Sequence, residues 1–349
     1  MRSLTVFIIL IIFCACNAPN QKYGTSFGAP PANITSGAPP ANITSGASPT
    51  GIKGPLAYAP NVPTAADGDT IEVKFDVQHK TFHIKNDLAF VGWMFGDSIP
   101  GPTLKVRVGQ TVKFSMTNRS NDTMAMAMDA GAQTMQMPHS IDFHAAMVNP
   151  EDKYRTINPG ETIHFSWTAN YPGVFMYHCG TPMVLMHMIY GMIGMVIVEP
   201  TGGFPGKPDY EFVLIQNEYY LRKLQDSITY VPDVEAARLK EPTYVTFNGK
   251  VAQYVPHPLR VKAGSRVRVY FINEGPNNAS SFHVIGTIFD KVWLDGNPHN
   301  ELQGLQAVYL GPACGAIVEF VIPEKGRYTF VDHSFADAEM GAIGQFLAE

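Results

Sequence analysis

From about residue 66 onward, apolar and polar positions alternate in short runs. Ile71-Glu-Val-Lys-Phe-Asp-Val77, Thr103-Leu-Lys-Val-Arg-Val108, Thr111-Val-Lys-Phe-Ser-Met116 and Thr162-Ile-His-Phe-Ser-Trp167 each place apolar residues two apart, the period of a strand with one buried face. Gly, Pro or Asn residues separate the runs, as turns between strands require. Met195-Val196-Ile197-Val198 reads as a further strand. The texture is that of a β-sandwich.

The same texture returns after Pro200-Thr-Gly-Gly-Phe-Pro205, a candidate interdomain linker. Val108-Gly-Gln-Thr-Val-Lys-Phe-Ser-Met-Thr-Asn118 has a counterpart in Ala263-Gly-Ser-Arg-Val-Arg-Val-Tyr-Phe-Ile-Asn273. Asp142-Phe143-His144 is echoed by Ser281-Phe282-His283, and the strand into His178 by Gly326-Arg-Tyr-Thr-Phe-Val-Asp-His333. These echoes predict an internal duplication of one sandwich domain, residues 66–200 and 201–349.

The first 65 residues have a different pattern. Residues 1–16 carry a single Arg, an apolar run from Leu4 to Phe13 and then Cys14-Ala15-Cys16. That run is too short to span a bilayer and reads as an export signal. Cys16 resembles the acceptor cysteine of a bacterial lipoprotein; the plainer reading is simple signal cleavage. Residues 17–65 are rich in Pro, Ala, Gly, Ser and Thr, and the nonapeptide Gly28–Ser36 repeats as Gly37–Ser45. Such a composition cannot bury a core and reads as a disordered tether. Its Asn33-Ile-Thr and Asn42-Ile-Thr triplets match a glycosylation sequon, read as chance beside a lipoprotein-like cysteine.

The length of 349 residues suits about two domains. A formal net charge of -5, with no basic run, excludes a nucleic-acid binder. Of four cysteines, Cys14 and Cys16 belong to the leader, leaving Cys179 and Cys314 in the body. Cys314, at a turn between Pro312 and Gly315, reads as a structural thiol. Cys179 stands among histidines, which changes its meaning.

Tyr177-His178-Cys179, followed by His187 and Met192, offers a thiolate, two imidazoles and a thioether within one strand-loop-strand segment. With one more histidine this is the ligand set of a blue-copper electron-transfer site. Pro138-His-Ser-Ile-Asp-Phe-His144 supplies the candidate, His139. Successive strand residues point to opposite sides, so His178 faces away from Cys179. In an extended segment His139 and His144, an odd number of positions apart, also face opposite ways. His139, Cys179, His187 and Met192 therefore group at one copper, and His144 with His178 at a second.

Two histidines leave the second copper short of ligands, and His333, on the equivalent strand of the second domain, is the candidate third. Three imidazoles with an open fourth position suit catalysis. A second-domain histidine meets the first domain's metal most easily across a subunit interface, which points to a closed cyclic oligomer. Asp142 and His283 stand where proton donors would be useful.

These residues resemble the copper-containing, nitric-oxide-forming nitrite reductases, across nearly the whole chain from about 66 to 345. Pro138–Ala146 looks like the family's first motif, and Tyr177-His-Cys with His187-Met-Ile-Tyr-Gly-Met192 like its second. Ser281–Val292 and Tyr328–Ser334 look like the third and fourth. The resemblance is closest to the outer-membrane-lipoprotein branch of that family, which also has a lipidated cysteine and a low-complexity tether.

The resemblance implies an all-β fold of two tandem cupredoxin-like Greek-key sandwiches in a homotrimer. It makes His139, Cys179, His187 and Met192 the type 1 copper ligands. His144, His178 and a neighbouring subunit's His333 become the type 2 copper ligands. Asp142 and His283 become the proton-delivering pair, and Ile285 the apolar residue restricting how nitrite sits. It further implies one-electron reduction of nitrite to nitric oxide and water, as in denitrification, with a c-type cytochrome or small cupredoxin as donor. The location implied is periplasmic or at the cell surface.

Two rival functions predict different residues. A multicopper oxidase needs His-X-His pairs for its trinuclear cluster; none occurs, and Gly180 follows Cys179. An exported copper-binding or electron-carrying lipoprotein predicts loss of type 2 ligands or of the proton pair, and all five residues are present. The loop Arg119–Met137 is longer than the family's and carries Met124, Met126, Met128, Met135 and Met137. Thioethers suit Cu(I), which makes an accessory loading site conceivable; the plainer reading is an adaptable apolar loop.

Overall fold

The computed structural model describes residues 60–120, 123–128, 131–224 and 230–349, with backbone alone over 123–128 and 131–135. The leader, Cys16 and the tether up to residue 59 lie outside the described residues. The strands of the first half are β1 (Thr70–Lys85), β2 (Leu88–Phe95), β3 (Leu104–Arg107), β4 (Thr111–Asn118), β5 (Thr123–Met128), β6 (Gly131–Gln136), β7 (Asp142–Phe143), β8 (Thr162–Thr168), β9 (Gly173–His178) and β10 (Ile193–Glu199). There follow β11 (Tyr210–Tyr219), β12 (Leu221–Lys223), β13 (Tyr230–Pro232), β14 (Tyr244–Phe247), β15 (Tyr254–Val261), β16 (Arg266–Asn273) and β17 (Ser280–Val284). The last are β18 (Lys291–Leu294), β19 (Glu301–Leu302), β20 (Ala307–Leu310), β21 (Gly315–Val321), β22 (Gly326–Asp332) and β23 (Ile343–Ala348).

Among the described residues four larger sheets and the two-stranded β5-β6 sheet build the all-β fold. The sheet β12-β13-β2-β1-β4-β8 and the sheet β3-β10-β9-β7 share a core that includes Phe75, Phe114, Phe143, Trp167 and Tyr177. The sheet β14-β11-β16-β21-β18-β19 and the sheet β15-β23-β22-β17-β20 share another, around Phe271, Phe282, Phe320 and Phe330. The two sandwiches repeat one pairing plan. β4 lies between parallel β1 and antiparallel β8, as β16 lies between parallel β11 and antiparallel β21. The order β3-β10-β9-β7 matches β15-β23-β22-β17.

A third apolar layer joins the sandwiches. Val174 and Met176 of β9 and Ile193, Met195 and Ile197 of β10 pack with Val213, Ile215, Tyr270, Ile272, Trp293 and Ile317. Val196 and Val198 of the same strand turn into the first core. β10 is covered on both faces, which is why its sequence is apolar throughout instead of alternating.

Three features differ from the reading of the sequence. β1 continues well past Val77, to Lys85, and carries His79 into the first sandwich. The segment bearing His187 is a short helix, Val184–Ile189, which buries Met186, His187 and Ile189; apolar side chains three apart suit one helical face. The backbone of the methionine-rich segment is the hairpin β5–β6, with Met124 opposite Met135. In addition, β12 and β13, from the second half of the chain, complete the edge of the first sandwich's sheet. Among the described residues no helix is long and apolar enough to cross a membrane.

Candidate metal centres

Cys179 follows directly on β9 and is fully buried, as are His139, His187 and Met192. His139 is pinned by two backbone bonds with Ile157, of 3.0 and 2.8 Å. The loop from Cys179 to Met192 is closed by its own backbone: the Cys179 N–H donates to Met192 O (3.1 Å), and the Met192 N–H to His187 O (3.2 Å). Three residues far apart along the loop are thereby held together. The donor atoms of Cys179 and His187 converge with that of His139: His187 Nδ1 is 3.3 Å from both His139 Nδ1 and Cys179 Sγ, and Cys179 Sγ is 4.0 Å from His139 Nδ1.

This group is dry. Burial, then the neighbouring His187 and His79, hold the pKa of His139 well below that of an ordinary imidazole. Burial and His79 push His187 down to about 4. Both rings are thus neutral, the form in which imidazole binds metal. Burial pushes the Cys179 thiol up, opposed by hydrogen bonds from Ser140 and Thr181; the Ser140 N–H points at Sγ from 3.4 Å. A buried thiol wedged against two neutral imidazoles, with a thioether on the same closed loop, fits a soft-ligand copper site and nothing in it neutralises a hard cation.

On the other side of the same strands lies a second group. β7 pairs with β9 so that Asp142 stands directly opposite His178, and the His144 N–H donates to Met176 O at 3.0 Å. His144 Nε2 and His178 Nε2 lie 3.1 Å apart, and Asp142 Oδ2 is 3.8 Å from His178 Nε2. Here His144 is exposed, and Asp142 and His178 are half-buried. The His144 pKa is lowered by burial and by His178, with Asp142 acting against them.

The predicted third imidazole is elsewhere. His333 belongs to neither cluster of donors; it is exposed at the end of β22, its ring 5.6 Å from that of His283. His283, on β17, hydrogen-bonds through Nδ1 to the carbonyl of Gln306. Ile285 follows β17 directly and is 48% exposed. The first sandwich thus brings Asp142, His144 and His178 together, while the second holds His283 beside His333, apart from that cluster.

Known proteins resemble this chain in sequence and in fold. A family model described as multicopper oxidase matches residues 76–203. The chain is 37% identical over 299 residues to a copper-containing nitrite reductase of Neisseria meningitidis, covering 84% of this chain and 73% of that one. This chain belongs to the copper-containing nitrite reductases. Another member, from Cereibacter sphaeroides, is 31% identical over 320 residues, 84% of this chain and 80% of that one. The solved copper nitrite reductase of Nitrosomonas europaea superposes with a TM-score of 0.71 at 34% identity, over 80% of this chain and 94% of that one. Copper is the cofactor that goes with this family, and both donor clusters suit it.

In this nitrite reductase fold, the surroundings of the buried group are what the sequence motifs leave out. His79 Nε2 lies 2.8 Å from His139 Nε2. Trp93 has its indole edge-on to His139 and His187, with centroids 5.2 and 4.9 Å away, and stacks on Tyr190 at 4.0 Å. A signal for His79 is present in the chain: Ile71, Val73, Phe75 and Val77 continue by twos to His79.

Proposed function

We propose that this chain reduces nitrite to nitric oxide and water, using a buried electron-transfer copper and an open catalytic copper. The observation that carries this reading is the division of one strand end between two environments. Cys179 turns into a dry donor cluster while His178, one residue earlier, turns into a half-open one. The two clusters are therefore joined by one peptide bond.

In this reading His139, Cys179, His187 and Met192 hold the type 1 copper. His144 and His178 hold the type 2 copper with His333 of a neighbouring subunit in a cyclic homotrimer. Bound copper supplies one-electron transfer at the buried cluster and polarisation of an N–O bond at the open one. Reduction of nitrite consumes one electron and two protons and releases an oxygen as water. Asp142, opposite His178, and His283, beside His333, hold those protons at the departing oxygen. The exposed side chain of Ile285 closes the site from above and limits how the anion sits. The donor is a c-type cytochrome or a small cupredoxin. The leader exports the chain to the periplasm or cell surface, and Cys16 carries the lipid that anchors it to the outer membrane.

The test is nitric oxide production from nitrite by the copper-loaded protein with an artificial reductant. Wild type is expected to form nitric oxide, and Asp142→Asn and His283→Ala to lose about 10²–10⁴-fold in turnover, the usual worth of a positioned acid, with copper content unchanged. A fully copper-loaded wild type that forms none would make the chain a copper carrier.

A further inference from the structure

The two imidazoles of the buried cluster are supported in different ways. His187 Nε2 is buried and has no hydrogen-bond partner among the described residues, and its ring leans on Trp93. His139 is braced from behind. His79 lies directly opposite Trp93 in the β1–β2 register, and its ring stacks on the indole with centroids 5.1 Å apart and planes 17° apart. Stacked there, it presents Nε2 to His139 Nε2 at 2.8 Å, while the two rings meet nearly perpendicular, at 84°.

We propose that His79 is a positioning residue for the buried copper: it accepts the Nε2–H of His139 and so fixes the tautomer and ring orientation that present Nδ1 to the metal. The inference rests on reading His139 as a ligand. His139 Nδ1 is the nitrogen that faces Cys179 Sγ and His187 Nδ1. A neutral imidazole that gives the Nδ1 lone pair to a metal carries its proton on Nε2, and that proton then points at His79. An acceptor behind a ligating imidazole fixes the ring and raises its basicity. The indole of Trp93 fixes His79 in turn, and Tyr190 backs the indole. The register of a single hairpin thus sets the orientation of a ligand belonging to a different segment of the chain. A more basic ligand favours Cu(II) over Cu(I), so His79 also lowers the reduction potential of the buried centre.

The test uses the copper-loaded full chain as wild type, His79→Phe and His79→Gln. Phenylalanine keeps a ring on Trp93 and removes the acceptor; glutamine keeps an acceptor. Three quantities are read: the thiolate-to-copper absorption band, the type 1 reduction potential, and the remote-nitrogen signals of the ligating imidazoles in pulsed EPR. Removing a partner behind a ligand commonly costs at least about tenfold in metal affinity. If that loss falls on Cu(II), His79→Phe raises the potential by ~59 mV for one electron and changes one of the two remote-nitrogen signals. His79→Gln restores most of both. Loss of the absorption band in His79→Phe with retention in His79→Gln supports the proposal equally.

Wild-type potential and wild-type nitrogen signals in both variants would overturn it. Failure of the underlying ligand reading looks different: wild type itself, fully loaded, would lack the thiolate-to-copper band.

Discussion

His178 and Cys179 are neighbours in sequence and belong to different chemical environments. Cys179 and its partners are sealed from water, whereas His144 is exposed and Asp142 and His178 are half-buried. Strand alternation alone produces the split, because consecutive side chains leave opposite faces. The first sandwich's core receives Tyr177 and Cys179, while Met176 turns to the layer between the sandwiches and His178 to the open cluster. A dry, backbone-locked pocket suits a metal whose geometry must not change as an electron passes. An open one suits a metal that must exchange water for an anion to which protons are delivered. The comparison teaches that one strand can supply both, provided its residues meet different surroundings.

The strongest way to break the comparison is to delete the two neighbours separately. Cys179→Ser is expected to abolish the thiolate-to-copper band and remove the buried copper, leaving the open copper and its EPR signal. His178→Ala is expected to do the reverse, with the band intact and nitric oxide production lost. Absorption, EPR and copper analysis on both variants check this; loss of both metals from either variant would show that the clusters are one cooperative unit.

A smaller effect sharpens the contrast in dryness. In the copper-free chain the buried His187 stays neutral down to about pH 4, whereas an imidazole in the unfolded chain takes up a proton near 6.5. The folded pKa is the lower one, so this contribution is complete above about pH 6.5 and is lost as pH falls toward about 4. At about 1.4 kcal/mol per unit, His187 alone accounts for a loss of about 3 kcal/mol. Glu218, buried and raised to about 7, acts in the opposite direction, losing stability as pH rises. Urea unfolding of copper-free wild type and His187→Gln between these pH values reads His187 together with its effect on the neighbouring His139, since Glu218 is common to both. Equal pH slopes would contradict it.

The smallest effect concerns the locking of the buried loop. The Gly180 N–H donates to Ser140 Oγ at 3.1 Å, so Ser140→Ala is expected to cost about 1 kcal/mol in unfolding free energy, with the absorption band kept.

Much of this architecture is legible in the chain itself. Period-two alternation marks β4 and β8 within two residues of their observed ends, and parity separates His139 from His144 and His178 from Cys179. The echo of Val108–Asn118 in Ala263–Asn273 corresponds to the matched positions of β4 and β16. What stays hidden depends on partners distant in sequence. β1 runs on past Val77 through Lys80 and Thr81, both exposed, because pairing with β2 holds it; the alternation that marks a half-buried strand is lost there. The helix carrying His187 is too short for a periodic pattern to distinguish it from a loop. The return of β12 and β13 to the first sandwich is a matter of edge pairing, which no local pattern records.

The claim on which the functional reading turns is that the open centre is shared, with His144 and His178 from one chain and His333 from another. Co-expression of His144→Ala and His333→Ala chains tests it most directly. Each homomeric variant is expected to be inactive. In a randomly mixed cyclic trimer, one interface of each mixed assembly pairs an intact His144 and His178 with an intact His333, so nitric oxide production is expected to return to about a quarter of wild type. Two inactive variants that stay inactive when mixed into one trimer would place all three histidines at a site within a single chain and contradict the account.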